Sequence, residues 1–342
     1  MTNVCAFGGG HGLSASLRAL RQIPGLSITA IVTVGDDGGS SGRLRAERGA
    51  LPPGDLRQAL AALAGDDPVT ESTARLFQHR FTGTDALAGH AVGNLLLCGL
   101  MEMLGDPVAA LDHAGTLLGA RGRVLPMAPV PVSIEADVRD ESGDLVTIRG
   151  QHQVAITRDH VEAVRLIPPD PPACAEAVAA VRAADWLVFG PGSWYTSVIP
   201  HLLVPALARA ITGSPAARLI TLNLAAEKET ESLSLPDHLR ALTRYLPGLR
   251  ADVVVADGKA VGDPEPIRGA AESLGARLVL APVAVDDGGP RHDPSALAAA
   301  LSPVLGHGPD TRHDEHAPNG MTERSEGHEG MPEDYEVTRE WR

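Results

Sequence analysis

Three short segments of the 342-residue chain hold residue types suited to a phosphorylated ligand. The first is Gly8-Gly9-Gly10-His11-Gly12, which follows the apolar run Val4-Cys5-Ala6-Phe7 and precedes Leu13, Leu17 and Leu20 at helical spacing. Bare glycine backbone beside the free N–H groups of a helix start attracts an anion, most often a phosphate. A tight strand-to-helix turn also needs glycine for its own sake, so the pattern alone is a weak signal. No Lys-Ser/Thr pair follows, which excludes a P-loop. Gly10, Gly12 and Ala15 match the dinucleotide spacing G-x-G-x-x-A, and Asp36 lies about twenty residues on, where a ribose-binding acid is expected. An NAD-type reading is therefore open.

The second segment is Gly35-Asp36-Asp37-Gly38-Gly39-Ser40-Ser41-Gly42-Arg43. Adjacent carboxylates at the end of a buried strand can bind ribose or sugar hydroxyls, or hold a divalent metal that is itself bound to phosphates. They can also merely form a turn or cap a helix. Ser40, Ser41 and Arg43 add hydroxyls and a guanidinium, groups that suit a phosphate or a sugar. The third segment, Gly190-Pro191-Gly192-Ser193, repeats the plan of the first, between the strand Ala184–Phe189 and a helix beginning at Trp194. Two such turns in one sheet can enclose a single ligand.

The elements that must carry these segments are mostly short β-branched strands alternating with helices. Ile28–Val34 is a strand that runs into the acidic pair, and Asp55 stands where it would cap a helix with Leu56, Leu60 and Leu63 on its apolar stripe. A further amphipathic helix spans roughly 68–79. His90 and Asn94, four apart, open the most apolar segment of the chain; such a histidine is more often structural than catalytic. From Arg123 to Pro168 the period changes to two, which predicts a small antiparallel insertion over about 127–168 that either caps the cleft or makes an oligomer contact. Arg218–Leu222 is a strand ending at Asn223, Asp237-His238 opens a helix, Asp252–Ala256 and Arg277–Ala281 are the last strands, and Pro294–Leu305 is the last helix.

Composition narrows the class. Aromatic residues make up 3% of the chain and hydrophobic residues 44%, so the core is aliphatic, as in parallel α/β layers. The formal charge of −14 argues against a nucleic-acid surface. Between His307 and Arg342, ten acidic residues face four arginines without any periodicity, which reads as a disordered acidic tail. Cys5, Cys98 and Cys174 are isolated and read as reduced core residues. With no leader pattern and no apolar run near ~20 residues, a cytoplasmic protein without membrane insertion is expected.

The motifs GGGHGLSASLRAL, ITAIVTVGDDGGSSGRLR, LPPGDLRQAL, LFQHRF, GHAVGNLLL and FGPGSWYTSVIPHLLV, in this order, resemble the bacterial gluconeogenesis-factor family of the YvcK type, across roughly residues 4–306. That family is related to the 2-phospho-L-lactate transferases of the CofD type. The resemblance implies a Rossmann-like three-layer α/β fold with a mainly parallel sheet, a small antiparallel insertion and one domain over 1–306. It also implies a non-catalytic protein that binds a UDP-sugar, typically UDP-N-acetylglucosamine, and links carbon metabolism in gluconeogenic growth to peptidoglycan synthesis and cell shape. By the same resemblance Gly8, Gly9, Gly10, His11 and Gly12, with Gly190, Pro191, Gly192 and Ser193, hold the diphosphate. Asp36, Asp37, Ser40, Ser41 and Arg43 lie beside the nucleotide or sugar, and Asn94 and Asn223 line the cleft. Cell-wall synthesis proteins and a second copy of the chain are the expected partners. The alternative is a CofD-like transferase moving a phospholactyl-type group from a nucleotide diphosphate, with Mg²⁺ on the paired aspartates. The NAD reading weakens because the acid pair continues into Gly-Gly-Ser-Ser-Gly-Arg. Two departures stand out: His11 replaces the usual Thr, and after Asn223 the chain reads Leu-Ala-Ala-Glu-Lys-Glu-Thr where relatives carry Leu-Met-Thr-Gln-Pro-Gly-Glu-Thr, so Glu227 adds a charge.

Overall fold

A computed structural model describes residues 1–306; the acidic tail expected over 307–342 lies outside the described residues. The strands are β1 (Thr2–Gly8), β2 (Leu26–Val32), β3 (Arg123–Pro126), β4 (Ser133–Arg139), β5 (Leu145–Arg149), β6 (His160–Ile167), β7 (Trp186–Phe189), β8 (Ala217–Thr221), β9 (Val253–Ala256) and β10 (Arg277–Leu280). Seven of them form a parallel sheet in the order β10-β9-β8-β7-β1-β2-β3. The chain departs from β1 toward β2 and β3, then returns to lay β7 on the other side of β1. That reversal puts a topological switch point between β1 and β7, the place where open α/β sheets bind ligands beyond their carboxyl ends.

The register at the switch point is fixed by side chains. Val4 to Phe7 pair with Trp186 to Phe189, and the rings of Phe7 and Phe189 stack with centroids 4.7 Å apart. Each phenylalanine directly precedes a glycine turn, so the stack brings both turns to the same level above the sheet. His201 packs edge-on against Phe7 beneath them. The core on both sides of the sheet is aliphatic, as the composition predicts, and the three cysteines are buried and unpaired.

The helices that matter for the site are α1 (Gly10–Leu20), α2 (Gly39–Arg48), α3 (Pro53–Leu63), α4 (Pro68–Gln78), α5 (Val92–Leu104), α6 (Pro107–Leu117) and α7 (Gln151–Ile156). Leu13, Leu17 and Leu20 seat α1 in the core. The last described helix, Pro294–Leu305, has the predicted bounds, because Asp293 caps it and proline occupies its first position.

The insertion is a three-stranded antiparallel sheet in the order β5-β4-β6, with Ile134, Ala136 and Val138 facing the core. Its start differs from the sequence pattern. Arg123–Pro126 alternates like the insertion but pairs in parallel with β2 in the main sheet. Between β5 and β6 the chain forms α7, a helix too short to show periodicity in the sequence. The segment after the second turn also differs: Trp194–Val198 is a single π-helical turn before the α-helical Ile199–Leu202.

Candidate functional site

The two glycine turns meet. A Cβ on Gly12 would lie 2.3 Å from the Pro191 carbonyl oxygen and 2.6 Å from the Gly192 Cα, so this close approach requires glycine. Ser16 Oγ donates to the Gly190 carbonyl at 2.8 Å, tying α1 to the second turn from below. Above the junction opens a cavity of about 680 Å³, lined by Gly9, Gly10, His11, Gly12, Pro191, Gly192, Ser193 and Asn223 among the residues expected from sequence. Its volume lies within the range of small-molecule sites.

Gly9 caps α1 with extended backbone and no side chain, so the orphan N–H groups of the first turn need acceptors from elsewhere. One comes from Asp55, whose carboxylate accepts the Gly10 N–H and the Thr33 hydroxyl, the latter at 3.2 Å. Leu13 N–H donates to the Gly9 carbonyl. The N–H groups of His11 and Gly12 have no partner among the described residues, and both residues line the cavity at the positive end of the helix dipole.

Asp55 is the functional candidate that the sequence did not single out. Pro52 caps α3 and Pro53 is its first residue, so Asp55 falls on the first helical turn, past the cap position it was expected to fill. From there it reaches across to α1. Burial, then the nearby Asp36 charge, pushes its carboxyl up to about 7, partly countered by its bonds to Thr33 and Gly10 and by the Arg57 charge.

The second turn is held by the loop after β8. Asn223 Oδ1 accepts the Gly192 N–H at 2.9 Å and its Nδ2 donates to the Gly192 carbonyl at 3.1 Å. The Gly192 amide is therefore taken by protein and is not a free anion donor. Ser193 Oγ donates to the Glu227 carboxylate, and Glu229 accepts the Tyr195 N–H at 2.9 Å. Burial pushes Glu229 up to about 8.

The side chains of the acidic segment do not line this cavity, although Asp36 stands close enough to Asp55 to act on its carboxyl. Asp36 accepts its own Gly38 N–H at 2.9 Å, while Asp37 accepts the His152 N–H at 2.9 Å and so caps α7. Ser41 accepts the Gly54 N–H at 2.9 Å, and Arg43 donates to the Ala88 carbonyl at 2.7 Å. Ser40 bonds His90 Nδ1 and accepts from Asn94, both at 2.9 Å, and Asn94 in turn accepts from Arg57 at 2.8 Å. His90 precedes α5 and shares no helical face with Asn94, but the two converge on Ser40. None of these side chains lines the cavity; nor do Gly8 or Gly190. They brace α2, α3 and α5 around the wall that presents Asp55.

Arg18, Gln151, Glu227, Arg291 and His292 are among the further lining residues and were not expected there, apart from the charge noted at Glu227. Gln151 Oε1 and His292 Nε2 are buried there without a partner among the described residues, which marks unsatisfied polar capacity in the cavity wall. Burial lowers His292 to about 4, so its ring is neutral. No spacing in the sequence joins Arg291 and His292 to the glycine turns, since they follow the last strand of the sheet. Among the described residues no cluster of three or more His, Cys, Asp or Glu could hold a metal.

Comparison with known proteins agrees with this architecture. Residues 4–282 match the family described as 2-phospho-L-lactate transferase CofD. A putative gluconeogenesis factor of Mycobacterium tuberculosis is 51% identical over 308 residues, covering 88% of this chain and 90% of its own length. The gluconeogenesis factor of Bacillus subtilis is 38% identical over 261 residues, covering 76% of this chain and 80% of its own. The crystal structure of a UPF0052-family protein from Bacillus halodurans superposes with a TM-score of 0.78 at 36% identity, over 88% of this chain and 98% of that one. The chain belongs to the CofD family and is similar throughout its matched length to the gluconeogenesis factors.

Proposed function

We propose that this protein binds a UDP-sugar, UDP-N-acetylglucosamine or a close relative, in the cavity above the two glycine turns. In this reading it acts without turnover, as a cytoplasmic regulator linking gluconeogenic carbon metabolism to peptidoglycan synthesis and cell shape. The observation that carries the reading is the pair of unpartnered N–H groups, His11 and Gly12, at the positive end of α1, set in a cavity at the switch point of the sheet. A diphosphate placed there accepts both amides, with Arg18 on the cavity wall to offset its charge; Arg291, also on the wall, is paired with Asp287. The braced segment Asp36 to Arg43 then acts on the ligand through α3 and Asp55. A thermal-shift screen of the full chain tests this: UDP-N-acetylglucosamine should raise the melting temperature more than GTP or NAD, because a ligand of the folded state stabilises it. A larger shift with NAD or GTP contradicts it.

One observation favours a transferase as the second reading. Asp55, buried and held near neutrality beside the first turn, is suited to proton transfer at a bound phosphate ester. Each of the paired aspartates accepts one backbone N–H, Asp37 from His152 and Asp36 from Gly38, and among the described residues no group of three or more His, Cys, Asp or Glu stands with them to complete a Mg²⁺ site. Turnover of a nucleotide-diphosphate-linked phospholactate in the presence of a deazaflavin alcohol would favour the transferase; binding without turnover favours the regulator.

A further inference from the structure

We infer that Glu227 sets the orientation and the sugar selectivity of the ligand, by making one end of the cavity a hydrogen-bond acceptor while the other end is a donor. This rests on the UDP-sugar reading above. The polar groups are linked by contacts: Gly12, whose amide is free like that of His11, abuts Pro191 and Gly192, Ser193 follows them in the chain, and its hydroxyl bonds the Glu227 carboxylate; all of these residues line the cavity.

The donors beside Glu227 are already spent. Asn223 takes the Gly192 N–H, and the Ser193 hydroxyl points its proton at Glu227. Glu227 itself accepts from Ser193 and, through its capping of the turn Lys228–Thr230, from the Thr230 N–H. An ionised carboxylate offers about four lone-pair positions. Two are used, so the remainder can accept from a ligand that lies against the cavity wall. Vicinal hydroxyls satisfy such an acceptor, and a phosphate does not, because two anions in a partly dry site repel. A diphosphate is thereby confined to the α1 end, and the glycosyl group is drawn toward Glu227. The neighbouring Leu224, Ala225 and Ala226 add apolar surface against which a sugar ring can rest.

The test compares two ligands on two proteins by calorimetric titration. For the wild-type full chain, UDP-N-acetylglucosamine should bind more tightly than UDP. Glu227→Gln keeps the shape and the capping acceptor but removes the charge that strengthens hydroxyl donation; it should weaken UDP-N-acetylglucosamine about tenfold and leave UDP within about twofold. Equal weakening of both ligands, or of neither, overturns the inference while leaving the UDP-sugar reading intact. Absence of wild-type binding to UDP-N-acetylglucosamine overturns both. If the Gln variant does not fold, Glu227→Asp, which keeps the charge but withdraws it by one methylene, should show the same selective loss, and unchanged selectivity there counts against the inference.

Discussion

At the scale of single residues, Asp55 does the most with the least exposure. It fills an acceptor role at the start of α1 that Gly9 cannot fill for itself, and burial is the main cost of putting it there. Because its pKa rises from 3.8 to about 7 on folding, the folded state favours the neutral acid. Its contribution to stability is therefore present below about pH 4 and is lost as pH rises to about 7. Asp55→Asn, which stays neutral, should match the wild type in acid and exceed it by on the order of a few kcal/mol above pH 7, measured by urea unfolding across that window. A difference independent of pH would place Asp55 outside the account. Glu229, raised from 4.5 to about 8, adds a second fall in stability that extends higher, and Asp55→Asn leaves that part unchanged.

At the scale of elements, the turns depend on one another. Gly12→Ala should push the turns apart, cost about 1–3 kcal/mol or more in unfolding free energy, and abolish ligand-induced stabilisation. Gly213→Ala, at the end of Pro205–Gly213 with open space around its Cα, serves as the control and should be neutral or slightly stabilising. Asn223→Ala leaves both polar groups of Gly192 without partners and should cost about 1–3 kcal/mol, read from the denaturant midpoint. The turns and their strands were legible in the sequence, because glycine clusters after β-branched or apolar runs have a local cause. The role of Asp55 was not, since two prolines shifted the helix start and turned a cap into a long-range acceptor. The acid pair is a different case: its composition suits a ligand, and Asp37 also accepts an N–H at the start of α7, a helix of six residues that no periodicity announces. Arg291 and His292 were illegible for a third reason, because only tertiary folding brings the loop after β10 to the first turn.

At the scale of the whole molecule, the parallel sheet does the positioning. The order β10-β9-β8-β7-β1-β2-β3 makes β1 and β7 neighbours, and the Phe7–Phe189 stack levels their ends. The insertion contributes a wall, since α7 brings Gln151 and Ala155 to the cavity. No described helix is long and apolar enough to cross a membrane. The central claim is that the His11 and Gly12 amides receive the ligand's diphosphate. A crystal structure of the full chain grown with UDP-N-acetylglucosamine tests it most directly. Phosphate oxygens within about 3 Å of both amides is the predicted result; a nucleotide bound elsewhere, with those amides facing only solvent, would contradict it.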